Sequence, residues 1–254
     1  MNEEQKISVV INTYNAEQHL AKVLESVKNF DEIVVCDMES TDNTVKIAKE
    51  FGCKIVTFPK ANHKSAEPAR TFAIQSASSK WVLVVDADEI VSPELRDVLY
   101  SEIKNPDCPA GYYIPRQNMF MSMFVRDFHY DFQLRFFIRE NTEWPPYVHT
   151  FPIVQGHVKK LKTDKKACLI HLMDETMHEY IEKMNLYTDN ETEKKKQKNY
   201  GVWALIWRPL WRFFKKYFMD GSFRMGTRGF IRALMAAFYQ FVLVAKIIEK
   251  RYRD

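Results

Sequence analysis

Residues 80–92 read K-W-V-L-V-V-D-A-D-E-I-V-S, and the fold of the chain is decided there. Positions 81–85 form an unbroken apolar run of strand length, rich in β-branched residues. That is the pattern of a central parallel strand covered on both faces. The run ends in Asp86-Ala87-Asp88-Glu89, three carboxylates within four residues. Carboxylates are costly to bury without partners, so the cluster is expected to face a cleft that supplies a cation or hydrogen-bond donors. In open α/β sheets ligands sit beyond the carboxyl ends of the strands. Asp86 and Asp88 point the same way if the extended backbone continues. Two hard oxygen ligands there suit Mg2+ or Mn2+ that also holds phosphates. Taken alone, a D-x-D triplet also describes a solvated turn ahead of the next helix.

Outward from this strand the pattern repeats. Residues 7–12, I-S-V-V-I-N, form a first strand followed by the polar turn Thr13-Tyr14-Asn15. Leu20, Val23, Leu24 and Val27 recur at helical spacing and predict a helix over 16–28. Residues 32–36 form a second strand ending in Asp37. Ser40, Thr41 and Asp42 then supply caps for a helix that Gly52 terminates. A third strand over 54–58 stops at Pro59, and a helix over 68–77 leads back to the strand at 81. Strands alternating with helices at this spacing predict a doubly wound, mostly parallel α/β sheet. Thr13, Asp37 and the Asp86/Asp88 pair should then open on one edge, as in a nucleotide site. No G-x-G-x-x-G follows the first strand and there is no Walker loop, which argues against a dinucleotide cofactor or a P-loop.

The motifs I-S-V-V-I-N-T-Y-N (7–15), I-V-V-C-D-M-E-S-T-D-N-T (33–44), A-R-T-F-A (69–73) and W-V-L-V-V-D-A-D-E (81–89) resemble the N-terminal half of family-2 glycosyltransferases. The resemblance covers residues 5–100 and implies the GT-A fold. It divides a catalytic domain at 1–190 into a nucleotide-sugar half at about 1–105 and an acceptor half at about 106–190. It also implies that Thr13, Tyr14, Asn15, Glu17 and Asp37 line a uridine pocket. Arg70 would support the nucleotide or diphosphate, Asp86 the ribose with Ala87 beside it, and Asp88 would ligate the metal. Glu39 departs from the family, which usually has Gly before Ser-Thr-Asp, so the turn there is expected to differ. Asp42 reads as a helix cap before it reads as a ligand contact, and Arg70 reads equally as a solvated basic face.

Residues 111–152 are aromatic and weakly periodic, with strands expected over 112–114 and 133–138. Between them Arg126, Asp127, His129, Tyr130 and Asp131 suit a sugar pocket, which combines flat aromatic faces with polar groups. Phe120, Phe124 and Phe136 read as ordinary core. The segment D-F-Q-L-R-F-F (131–137), Val148-His149 and Leu169-Ile170-His171 are similar to lipopolysaccharide inner-core β-1,4-glucosyltransferases, which transfer glucose to a heptose. Thr150 stands where that group commonly has Glu. The resemblance implies inverting transfer from UDP-glucose, with Arg135 at the nucleotide sugar. Inversion requires a base for the acceptor hydroxyl, and a cation assists the leaving diphosphate. Asp131 is the first candidate for the base, with Asp127 and Glu89 as alternatives. Asp88 and His149 are the expected metal ligands, and His171 is a further metal or diphosphate partner.

The chain has 254 residues, 46% of them hydrophobic, enough for a sizeable core. Cys36, Cys53, Cys108 and Cys168 show no paired spacing and read as reduced thiols rather than a disulfide frame. Residues 1–6 carry no apolar run, so no secretory signal is expected. Net charge is +4, but residues 200–254 hold eleven bases against three acids, +8, leaving about −4 elsewhere. Within that tail Trp203, Trp207, Leu210, Trp211, Phe214, Tyr217 and Phe218 alternate with Arg208, Arg212, Lys215 and Lys216. Aromatics on one face and bases on the other describe a helix lying in a membrane interface. A helix packed on the catalytic domain is the competing description. Pro209 is expected to begin a new helix, and 229–248 to dock rather than span.

The expectation is a peripheral enzyme on the cytoplasmic face of the inner membrane, with residues 191–254 as a helical membrane-associating extension. It would take a UDP-sugar donor and a lipid-linked glycan acceptor at an anionic surface. The lysine run at 193–198 has no companion nucleic-acid motif and reads as a solvated helix end, so no nucleic-acid partner is expected. Transfer of another UDP-sugar to a capsule or other lipid-linked acceptor, and a non-catalytic nucleotide-binding membrane adaptor, are the alternatives.

Overall fold

The computed structural model describes residues 5–63, 65–128, 131–147, 150–163, 166–172, 176–195 and 198–253. The chain opens with β1 (Ile7–Thr13), α1 (Glu17–Val27), β2 (Glu32–Asp37), α2 (Thr44–Glu50), β3 (Lys54–Thr57), α3 (Glu67–Gln75), β4 (Trp81–Asp86), β5 (Glu89–Val91) and α4 (Pro93–Glu102). There follow β6 (Gly111–Gln117), the short pair β7 (Met119–Phe120) and β8 (Met123–Phe124), β9 (Asp131–Ile138), β10 (Thr142–Glu143), β11 (Ile153–Val154), β12 (Val158–Lys160) and β13 (Leu169–His171). Three long helices end the chain: α5 (Met177–Lys195), α6 (Ala204–Phe214) and α7 (Thr227–Arg253).

All seven residues of β1 are buried, because β2 and β4 pair with it on either side, both parallel. On one face Ile7, Val9 and Ile11 meet Leu20, Val23, Leu24 and Val27 of α1 and Leu95 and Leu99 of α4. On the other, Val10, Val34, Val82 and Val84 meet Ala69, Ala73 and Ile74 of α3. Helices on both faces make the strands near-continuous apolar runs, as the sequence required. The sheet order is β3-β2-β1-β4-β9-β6-β13-β5, with β12 beside β6. The first four are parallel, and β9 runs antiparallel between β4 and β6. The result is a mixed α/β sheet with helices on both faces of its parallel half.

The chain divides into two compact units, residues 1–117 with 131–172, and residues 118–130 with 173–254. The expected boundary at 190 falls inside α5, a continuous helix, so the division lies at 172 instead. Residues 118–130 leave the first unit and fasten to the second. Phe128 N–H donates to the Asp220 carbonyl (2.8 Å) and Arg228 Nε to the Met121 carbonyl (2.9 Å).

In the second unit α7 packs against α5 and α6. Its length and apolar composition are enough to cross a membrane. Its polar interruptions are nonetheless met within the unit: Lys246 Nζ donates to Asn185 and to Asp189 of α5, and Arg232 to Asp127. Pro209 does not start a helix; it lies inside α6. Having no N–H, it leaves the Leu205 carbonyl without its i+4 donor. After α6 the chain makes a π-helical turn at Lys215–Met219 and reverses at Gly221, whose φ is +87°.

Candidate active site

The strand ends gather as the alternation of strands and helices requires. Thr13 lies opposite Asp37 and Asn12 opposite Asp86 in the parallel register. Beyond them opens a cavity of about 380 Å³ in the first unit, lined by Asn12, Tyr14, Asn15, Ala87, Asp88 and His171 together with Asp86, Ala16, Gln18, His19 and Ala66.

Asp86 accepts from Arg70 Nη2 (2.7 Å) and from both terminal nitrogens of Arg135. Burial opposes its charge, but the two guanidiniums win, and its carboxyl is held well below the usual range. Asp86 therefore serves as counter-ion to two arginines while it also lines the cavity. Both arginines lie over the Trp144 ring, Arg70 at 4.4 Å and Arg135 at 5.5 Å. Thr71 pins Trp144, donating to its carbonyl and accepting from its N–H (2.9 Å each).

Asp88, two residues on, stands 3.4 Å from His171 Nε2 at the end of β13. Burial opposes protonation of this imidazole, yet the Asp88 carboxylate outweighs it and the pKa is raised. β13 reaches this point because it pairs antiparallel with β5, which sets His171 against Glu89. Glu89 is fully buried, accepting from the Asp86 N–H and from Arg116. Burial and the neighbouring Asp86 charge push its pKa up. Arg116 donates through Nε and Nη2 to Asp131, whose other oxygen accepts from Gln133 (2.7 Å). Asp131 is thus tied through Arg116 to the carboxylate beside Asp88.

Asp88 and His171 are a carboxylate and an imidazole. Among the described residues no three ligating side chains surround one point. That donor set fits a Mg2+ or Mn2+ ion that takes its remaining ligands from a diphosphate and water. Polar atoms without protein partners point the same way. On the cavity wall Asn12 Nδ2 and Oδ1 are buried and unpaired, whereas the unpaired Arg70 Nε and Nη1 and Trp144 Nε1 lie outside the lining. Leaving the Asn12 amide unmet costs roughly 1–3 kcal/mol, a cost that a polar ligand in the cavity would remove.

The remaining expectations divide. Tyr14, Asn15 and Ala87 line the cavity. Thr13 and Asp37 lie beneath it: the Thr13 hydroxyl donates to Asp37 (2.9 Å), and the Ser40 N–H and hydroxyl take up its carboxylate. Glu17 also falls outside the lining. It accepts from the Asn43 N–H and amide, while Asp42 accepts from the N–H groups of Thr44 and Glu17. The two side chains cross-cap α1 and α2, which makes Asp42 a cap. Glu39 adopts φ +61°, a conformation that glycine takes freely, and its carboxylate accepts from the Lys60 N–H (3.0 Å). Asp127 belongs to the second unit, where Lys216, Arg232 and Ser222 hold its carboxylate. His149, His129 and Tyr130 lie outside the described residues. Asn12, Arg116 and Trp144 carried no signal in the sequence beyond Asn12 ending an apolar strand.

The glycosyl transferase family 2 model matches residues 8–157. A glycosyltransferase of Rickettsia conorii, itself uncharacterised, is 29% identical over 271 residues, covering 98% of this chain and 92% of the relative. The lipopolysaccharide core biosynthesis glycosyltransferase LpsC of Rhizobium meliloti is 28% identical, covering 96% and 92%. Among solved structures, residues 1–349 of S. aureus TarS in complex with UDP align with a TM-score of 0.49 at 16% identity, covering 98% of this chain and 91% of that one. With the family model matching more than half its length, the chain belongs to glycosyl transferase family 2.

Proposed function

We propose that the protein is an inverting, cation-assisted hexosyltransferase. It moves glucose from UDP-glucose to a hydroxyl of a lipid-linked glycan, such as the heptose of a lipopolysaccharide inner core, at the cytoplasmic face of the inner membrane. The observation that carries the reading is Asp88 meeting His171 at 3.4 Å on the wall of a cavity beyond the parallel strands. These two residues would hold the ion. When bound, a Mg2+ or Mn2+ ion neutralises charge developing on the leaving diphosphate. Arg70 and Arg135 keep Asp86 paired, so the cavity wall does not repel the diphosphate with a bare carboxylate.

Asp131 is the base in this reading. It is partly exposed at the head of β9, and Arg116 fixes its orientation. As the acceptor oxygen bonds to the anomeric carbon, its proton passes to Asp131 and the anomeric bond to the diphosphate breaks, releasing UDP. The acceptor class is supported by the LpsC relative, and the peripheral location by the basic, aromatic helices of the second unit.

A hydrolysis screen across UDP-sugars, with and without Mn2+, tests the reading. UDP-glucose should be turned over fastest, only with the cation, and not by Asp88→Ala. Equal turnover without a divalent ion would reject the cation's role, and preference for another UDP-sugar would reject glucose.

A further inference from the structure

Between α6 and α7 lies a second cavity of about 370 Å³, lined by Trp207, Arg208, Trp211, Arg212, Lys215 and Gln240. Three of its six lining side chains are cations and none is acidic. Arg208 donates to Gln240 (3.1 Å) and lies over the Tyr200 ring, but its buried Nε has no partner. Arg212 and Lys215 are exposed and form no ion pair among the described residues. Elsewhere in this unit Lys216 and Arg232 hold Asp127, Lys246 holds Asp189 and Lys250 holds Glu193, while Arg224 and Arg228 donate to backbone carbonyls. The cavity thus brings three cations together on one concave surface with no carboxylate in its lining.

Apolar surface adjoins it. Trp207, Trp211 and Phe214 stack at 6.3 and 6.0 Å between ring centres, Phe218 follows tilted at 5.1 Å from Phe214, and all four are exposed. Eleven residues of helical rise give this strip a length of about 16 Å. On α7, Phe230, Leu234, Phe238 and Phe241 form a second exposed stripe at helical spacing. Exposed aromatics beside a concave basic site match an amphiphile with an anionic head and apolar tails, and fit poorly to a soluble anion.

We propose that this cavity binds the phosphate of an anionic phospholipid headgroup, while the aromatic strip enters the acyl boundary of the same membrane. The proposal rests on the peripheral-membrane reading above and gives it a specific receptor. Arg212 and Lys215 contact the phosphate oxygens, and Arg208, held by Gln240, closes the floor.

The test is co-sedimentation of the full chain with vesicles of phosphatidylcholine alone, or of phosphatidylcholine with phosphatidylglycerol. Wild type and Arg212→Ser/Lys215→Ser are compared, and equal UDP-sugar hydrolysis in vesicle-free solution shows that the variant is folded. Wild type should bind the anionic vesicles selectively, and the double variant should bind them at least about tenfold more weakly. If wild type ignores both vesicles, the membrane reading and this site fall together. If wild type binds and the double variant binds equally, the site alone is wrong. Inorganic phosphate supplies the remaining arm: protection of wild type by millimolar phosphate, without selective vesicle binding, would make the cavity a soluble-anion site and overturn the proposal.

Discussion

Asp127 and Asp131 are four residues apart, and cations hold both carboxylates, Arg116 at Asp131 and a pair of bases at Asp127. Asp127 is mostly buried between Lys216 and Arg232. Burial raises its pKa, the two cations lower it, and the net shift is downward. Its unfolded pKa is near 3.9, so its stabilisation is present above about pH 4 and is lost as pH falls through the lower folded value. Asp127→Asn should cost about 3 kcal/mol at pH 7 because it leaves two cations uncompensated. Urea unfolding of wild type and variant should show the gap closing as the medium is acidified below pH 4. Glu39 makes a separate point. A non-glycine residue at φ +61° costs roughly 1 kcal/mol, offset in part by its bond to the Lys60 N–H. Glu39→Gly should leave the melting temperature nearly unchanged, whereas Glu39→Val, branched at Cβ, should lower it by several degrees.

At the scale of the element, packing against glycine decides the start of α7. A Cβ at Gly229 would sit 1.7 Å from the Ser222 carbonyl oxygen, which is backbone and cannot swing aside. Gly229→Ala should destabilise the second unit by about 1–3 kcal/mol, measurable as an earlier thermal transition. Elements of this kind mark where sequence reading succeeded and where it stopped. The parallel strands were legible because burial on both faces writes an apolar run, and α1 because Leu20, Val23, Leu24 and Val27 repeat at one period. The β7–β8 hairpin was not, because its turn uses Met121 and Ser122 at positive φ where Asn-Gly would have announced it. Proline belongs in the first turn of a helix, yet α6 begins at Ala204 and holds Pro209 in its interior. In the site, Asp86 and Asp88 were visible as carboxylates at a strand end. Their partners Arg135 and His171 come from strands 49 and 83 residues further along the chain, so pairing them required the sheet order.

For the whole molecule, the division into units runs against chain order. Arg116 and Asp131 are neighbours in the β6–β9 register, so residues 118–130 begin and end side by side. That excursion carries Asp127 and Phe128 into the second unit. A chain ending at Leu172 would expose both, and should aggregate on expression. Replacing 118–130 with a short turn should restore solubility to the shortened chain, as judged by size-exclusion chromatography. The catalytic account stands on the first unit, where Asn12, Asp86, Asp88 and His171 border one cavity. The measurement that bears on it most directly is calorimetric titration of UDP, with and without Mn2+, into wild type and Asp88→Ala. Wild type should bind UDP at least about tenfold more tightly with the cation, and Asp88→Ala should bind it equally weakly in both conditions. An undiminished Mn2+ effect in Asp88→Ala would contradict the account.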